Sequence, residues 1–235
     1  SLYNYEDLYP SCVHHSHVKG RACVMSAVGV NYSWGMDFSQ EGAVVFRLES
    51  ADYRTSASER TKRKIAQAFE SVLKVKPFEK IIVSDITSKC GISRQTFYNH
   101  FLDKYDLVNW IYQQLLHATT RRICIDLTWE QAVRSKLEIM KNNAEFFSEI
   151  FSVTHSEGLL NTEAELVFDY YQDNLMRLVG KKLNELETYS LKIYCYGATR
   201  MTAEWICSGA TMPIEMIIVA NKVALPPFAQ KIFLA

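Results

Sequence analysis

The chain has 235 residues, 48% of them hydrophobic and 22% charged, which predicts a globular fold with a real core in one large or two modest domains. Basic and acidic residues number 26 each, so the average charge points to no polyanionic partner. No run of about eighteen apolar residues predicts a membrane span, no basic segment followed by an apolar stretch reads as a signal peptide, and six scattered cysteines without a CxxC pair predict a reducing, cytoplasmic setting rather than a disulfide framework.

Residues 1–57 hold no sustained period of 2 or 3.6 and predict a poorly ordered N-terminal extension. "VVFRL" at 44–48 is a strand candidate with no evident pairing partner. "CVHHSHVKGRAC" gathers Cys12, His14, His15, His17 and Cys23. These are zinc-type donors, but their spacing matches no common finger and no apolar residues frame them, so no metal site or other cofactor is expected.

From Ser58 the pattern turns helical. Ile65, Ala68, Phe69, Val72 and Leu73 follow the i, i+3, i+4 rule. Lys62, Arg63 and Lys64 are expected in the first turn, where basic charge opposes the macrodipole, and a phosphate partner would explain them. Pro77 ends this helix. Phe78, Ile81, Val83 and Ile86 then predict a second, short helix that stops at Gly91, a residue suited to the left-handed conformation. Ser93 is a good N-cap for a third, so "VSDITSKCGISRQTFYNHF" reads as helix, tight turn, helix. Phe97 and Phe101 face its core. Arg94, Gln95, Thr96, Tyr98 and Asn99 are left outward, with side chains able to bond base edges and phosphate oxygens. Asp103 is placed to cap a long following helix, with Lys104 in its first turn. Charge supports this reading: residues 54–112 carry eleven Lys/Arg against six Asp/Glu, whereas the stretches on either side are net acidic. A basic module beside an acidic remainder is the footprint of nucleic-acid binding.

Residues 60–116 resemble the N-terminal DNA-binding domain of the TetR family of bacterial transcription regulators. The matched positions are Phe78, Asp85, Ile86, Gly91, Ile92, Ser93, Thr96, Phe97, Tyr98, His100, Phe101, Lys104 and Leu107. The resemblance implies an all-α fold: a three-helix DNA-binding domain over 58–116 and a helical regulatory and dimerisation domain over 117–235. It implies that Thr96, Tyr98, His100 and Lys104 hold phosphates or buttress the helix, while Arg94, Gln95 and Asn99 read bases. Arg63, Lys64 and Ser93 complete the expected DNA-facing set. Five positions depart from the family pattern, Thr87 and Cys90 among them in place of the usual small residues. Pro77 stands where Gly is usual, Ile82 stands where a capping Thr or Ser is usual (Ser84 then being the substitute one turn on), and Gln95 stands where small residues are frequent.

Residues 117–235 read as helices throughout: one after Thr128, one at "NAEFFSEIF", one from about Thr162, one ending at Gly209, and one opened by Pro213 and ended by Pro226–Pro227. Phe146, Phe147, Phe151, Phe168, Tyr171, Tyr196, Met201 and Trp205 are either an effector pocket or plain core and dimer interface. Helices at about 188–208 and 213–225 are the dimer candidates. The spacing of Trp205, Gly209, Pro213 and Glu215 resembles the subgroup of regulators of dihydroxyacetone kinase operons, in which a protein co-regulator can replace a small inducer. The expected partners are operator DNA, a second copy of the chain, and a small-molecule effector or a co-regulator protein. No GxSxG, HExxH, P-loop or dinucleotide fingerprint occurs, so no enzyme is expected. A helical dimerisation protein without DNA binding is the remaining alternative.

Overall fold

The computed structural model describes residues 56–152 and 156–235. Residues 1–55 of the expected N-terminal extension, the strand candidate at 44–48 and the Cys/His cluster at 12–23 lie outside them, whereas Ser56 and Ala57, expected in that extension, cap and open the first helix. Ten α-helices and two short 3-10 turns make up the described residues, with no β-strand among them.

The first helix, α1 (Ala57–Leu73), is capped by Ser56, whose hydroxyl accepts from the Glu59 N–H at 3.1 Å. Its buried stripe is Ile65, Ala66, Ala68, Phe69 and Val72. Because α1 begins at Ala57, Lys62, Arg63 and Lys64 lie beyond the first turn where the sequence placed them, and the presumed cost against the helix dipole disappears.

Beyond Pro77 the chain makes a 3-10 turn (Phe78–Lys80) before α2 (Val83–Cys90). Ile82 cannot cap α2 with its side chain, and Asp85 does the work expected of Ser84. The Asp85 carboxylate accepts from the Ile82 N–H at 2.9 Å and pairs with Lys76. These bonds hold its carboxyl below the usual carboxylate range. Gly91 ends α2 in the left-handed region (φ 66°, ψ 42°), where a side chain would be strained. The short helix α3 (Arg94–Tyr98) and α4 (Lys104–Ala118) follow. Phe69, Phe78, Phe97, Ile65, Ile81, Ile86, Leu107 and Ile111 are buried around this junction.

The remainder comprises α5 (Trp129–Asn142), α6 (Ala144–Phe151), α7 (Ser156–Val179), α8 (Glu185–Cys207), α9 (Ile214–Ala224) and α10 (Pro227–Phe233). Here α7 pairs along α8, α6 packs on α8, α5 on α9, and α4 on α7. The expected start of α7 near Thr162 moves back to Ser156. Gly158 is tolerated inside the helix at about 1 kcal/mol, while Leu159 and Leu160 are buried and anchor the added turn. Pro226–Pro227 do not merely end α9. Pro227 occupies the first turn of α10, where its fixed φ and missing N–H suit a helix start. Ala229 and Phe233 then bury α10 beside α7.

Candidate nucleic-acid interface

The α2–turn–α3 unit is fixed by local chemistry. The Ser93 hydroxyl accepts from the Thr96 N–H at 3.0 Å and shares a 2.9 Å hydrogen bond with the Thr96 hydroxyl. The Ile92 N–H donates back to the Thr87 carbonyl across Gly91. Helical bonding continues past Tyr98: the Asn99 N–H bonds the Gln95 carbonyl, and the His100 and Phe101 N–H groups bond that of Phe97. Phe97 is fully buried and meets Phe101 at 5.8 Å between ring centroids, and Phe101 meets Trp110 of α4 at 5.9 Å.

With Phe97 inward, Arg94, Gln95, Tyr98 and Asn99 are exposed and Thr96 is half-buried. Gln95 Nε2 donates to Asn99 Oδ1 at 3.1 Å, which links the two amides one turn apart. Each keeps a further donor, so the pair presents the donor–acceptor face that suits an adenine edge. Tyr98 is 45% exposed, its ring edge-on to Phe97 at 5.6 Å, which leaves its hydroxyl end outward. His100 is half-buried, with Nδ1 3.4 Å from the Ser58 hydroxyl of α1.

The basic residues divide. Lys64 is exposed. Arg63 is half-buried and pairs with Glu59 at 3.6 Å. Lys62 lies 5.5 Å over the Phe101 ring, so its stem helps cover the core. Lys104 has an internal task. Its ammonium donates to the carbonyls of Phe78, Glu79 and Ile81 at 2.7, 3.0 and 3.0 Å, and stands 4.6 Å over the Phe78 ring. An ammonium has three donors, and here all three are engaged. Of the two roles implied for Lys104, the geometry matches the buttress and leaves no proton for a phosphate. Burial lowers its pKa from the ordinary lysine value.

The aromatic effector-pocket candidates divide between the core and the surface. Phe147, Phe151, Phe168, Tyr171 and Trp205 are buried in the general core. Tyr171 accepts from Trp129 Nε1 at 2.9 Å and packs edge-on to Tyr194 and Phe233. Trp205 donates to the Met212 carbonyl at 3.0 Å. Tyr196 is half-buried and donates to Glu165. Met201 is 63% exposed and belongs to an outer surface, because it continues the stripe Leu186, Tyr189, Ile193 along α8. Met212, Met216, Val219 and Val223 make a second exposed apolar stripe on and just before α9.

The sequence reading missed three buried polar residues. Lys136 of α5, Glu163 of α7 and Thr199 of α8 are all buried. Glu163 Oε2 and Thr199 Oγ1 have no hydrogen-bond partner. Burial drives the Glu163 carboxyl well up and the Lys136 ammonium down. A signal existed: Lys136 and Glu163 each sit in core register, three or four residues from buried Val133, Met140, Leu159 and Val167. Two clefts lie elsewhere. One, of about 500 Å³, runs between the Thr120–Arg122 turn and α7, with Arg121, Asp169, Asp173 and Arg177 on its walls. The other, of about 480 Å³, lies between α1 and the α5–α6 elbow.

Residues 127–222 match the TetR-type family described as the transcriptional regulator C-terminal region. The HTH-type dhaKLM operon transcriptional activator DhaS of Lactococcus lactis subsp. lactis (strain IL1403) is 29% identical over 93 residues, 40% of this chain and 50% of that protein. The chain thus spans half the length of that relative. A solved structure of a dihydroxyacetone kinase operon activator, DhaS, superposes with a TM-score of 0.50 at 24% identity, covering 74% of this chain and 97% of the other. That superposition supports the fold.

Proposed function

The chain belongs to the TetR family of transcriptional regulators, and from that premise we propose that it is a cytoplasmic, dimeric, sequence-specific DNA-binding protein whose helix α3 enters the major groove of operator DNA. It is a regulator and not an enzyme. The observation that carries the proposal is the outer face of α3: Arg94, Gln95, Tyr98 and Asn99 are exposed on a helix whose inward residue, Phe97, is fully buried. Arg94 would read guanine, and the linked Gln95–Asn99 amides an adenine edge. Thr96, Tyr98, Ser93, His100 and the basic face at Arg63 and Lys64 would position the backbone.

Dimerisation is supported by the exposed stripes on α8 and α9. Tyr189, Ile193 and Met201 recur at helical spacing around Gly197, which lacks a side chain to hold a partner helix away. A twofold dimer would set two α3 helices on successive major grooves, about one DNA turn apart. The regulated genes would be an operon of the kind named for the relative, with the protein acting on its promoter.

Control by a small molecule in the C-terminal region is supported by the buried Lys136–Glu163 pair, whose Glu163 Oε2 has no hydrogen-bond partner. The close packing of Phe147, Phe151 and Tyr171 favours a second reading, control by a partner protein.

Fluorescence anisotropy with the protein's own promoter DNA tests the proposal. Binding is expected to weaken steeply with salt, log K falling by about 0.9 per log salt for each phosphate engaged. Absent or salt-insensitive binding would refute it and leave a helical dimerisation protein.

A further inference from the structure

The chain passes from its DNA-binding part into the remainder through α4. The start of α4 holds the Phe78 turn through Lys104, and the helix also packs on α7. A body joined through one helix can turn about that helix's axis, so the angle of α3 depends on a second attachment away from it. Helix α6 supplies one. The Phe78 N–H donates to Glu149 Oε1 at 2.8 Å, 71 residues further along the chain. This N–H opens the Phe78–Lys80 turn, where Pro77 offers no side-chain cap, and Phe78 is fully buried. An N–H at the start of a helical turn has no partner within it, so a carboxylate from a distant helix does the capping that sequence neighbours usually do.

The residue beside Glu149 holds the other side. The Ser148 hydroxyl donates to the Ile206 carbonyl at 3.2 Å, and the Cys207 thiol donates to the Ser148 carbonyl at 4.0 Å. Ile206 and Cys207 end α8, the helix whose exposed stripe supports dimerisation. Adjacent residues thus tie α6 to the last turn of α8 and to the turn that precedes α2. A further contact of α6 with the DNA-binding part is apolar: the Phe146 and Phe69 rings meet edge-on at 6.1 Å. Ring packing tolerates a range of offsets, whereas a hydrogen bond weakens steeply as its angle opens. A cleft of about 480 Å³ opens beside this joint, so close packing does not back the bond on that side.

We propose that Glu149 is a positioning residue for operator recognition: its bond to the Phe78 turn sets the angle of α3 to the dimer helices, and with it the half-site spacing that the dimer accepts. The inference rests on the reading of the chain as a DNA-binding dimer. Two recognition helices reach their grooves together only when their separation matches the spacing of the half-sites. On a duplex of another spacing the α3 helices must swing, and the Glu149 bond must stretch or break. The penalty traceable to Glu149 is then that of one hydrogen bond to a charged group, about tenfold in affinity for each bond lost.

Random-pool selection with the full chain defines the half-site, and a duplex series then varies the spacing of two such half-sites one base pair at a time. Anisotropy is expected to show one preferred spacing for the parent. Glu149→Ala should shrink the ratio between that spacing and its neighbours about tenfold, with affinity for a single half-site unchanged. Glu149→Gln, which keeps an oxygen acceptor for the Phe78 N–H, should retain the parent's profile. A residue needed only for stability would shift every duplex alike. Should Glu149→Ala not fold, the parent decides: hydrogen exchange at the Phe78 amide should quicken about tenfold when a mis-spaced duplex replaces the preferred one. A spacing profile unchanged by Glu149→Ala, or equal Phe78 protection on both duplexes, overturns the inference and leaves DNA binding standing. A parent that binds no DNA at all removes both.

Discussion

Replacing Lys104 by Met separates a buttress from a phosphate contact. The substitution keeps most of the aliphatic stem and removes the ammonium that bonds the carbonyls of Phe78, Glu79 and Ile81. The Glu79 carbonyl is exposed and recovers a water. The Phe78 and Ile81 carbonyls are partly buried and do not recover fully. At about 1.5 kcal/mol for each of these two charge-assisted bonds, the variant should lose about 3 kcal/mol. In a chain of this size that lowers Tm by about 6–12 °C, read by urea and thermal unfolding. The salt slope of DNA binding should stay unchanged, because no phosphate contact is lost. A variant within about 0.5 kcal/mol of the parent whose salt slope falls by about 0.9 would refute the reasoning and return Lys104 to the DNA.

Three further outcomes are expected. Ile193→Glu places a charge in the α8 stripe and should raise the dimer dissociation constant at least a hundredfold, roughly the cost of desolvating an unpaired carboxylate; sedimentation equilibrium measures it, and an unchanged mass would place the dimer contact elsewhere. Glu70 holds its proton to about pH 8 when folded and to about 4.3 when unfolded, so the stability this gives is complete below the lower value and is lost as pH rises through the higher one. Glu70→Gln should therefore gain about 2.5 kcal/mol on the parent between pH 6 and 9, and a pH-independent difference in urea unfolding would contradict the burial argument. Gln95→Ala and Asn99→Ala should each relax base preference, and their double-mutant cycle on operator DNA should show coupling of about 1 kcal/mol through the bond between the amides; additive effects would mean that the two residues read separately.

What was legible in the sequence was mostly what is local in the chain. Ser93, Asp103 and Thr128 cap the helices they were expected to cap, because a cap needs only the next three residues. Gly91 ends α2 for the same kind of reason. The task of Lys104 was not legible, since its carbonyl partners stand 23 to 26 residues earlier. The pocket candidates keep the two uses that the sequence left open to them: a buried aromatic residue has the same spacing whether it lines a void or fills one, and only closure in three dimensions separates the two. Met201 falls on the exposed side of α8, because helical period identifies a face without saying what that face meets. Pro227 was taken as a stop because a helix start and a helix end both favour a proline nearby.

The thin apolar support of α3 follows from how its neighbours hold it. Phe97 alone among its five residues is fully buried, but that ring leans on Phe101, which leans on Trp110 of α4, while Lys62 of α1 covers Phe101 from the other side. The helix therefore takes its support from α2, α1 and α4, with Tyr98, edge-on to Phe97, as the outer residue that joins the packing. Truncating Phe97 would cost about 3–5 kcal/mol, whereas changes at exposed Arg94, Gln95 or Asn99 should stay within about 0.5 kcal/mol in stability. This separation of support from surface lets the exposed residue at Gln95 change without the fold having to change with it.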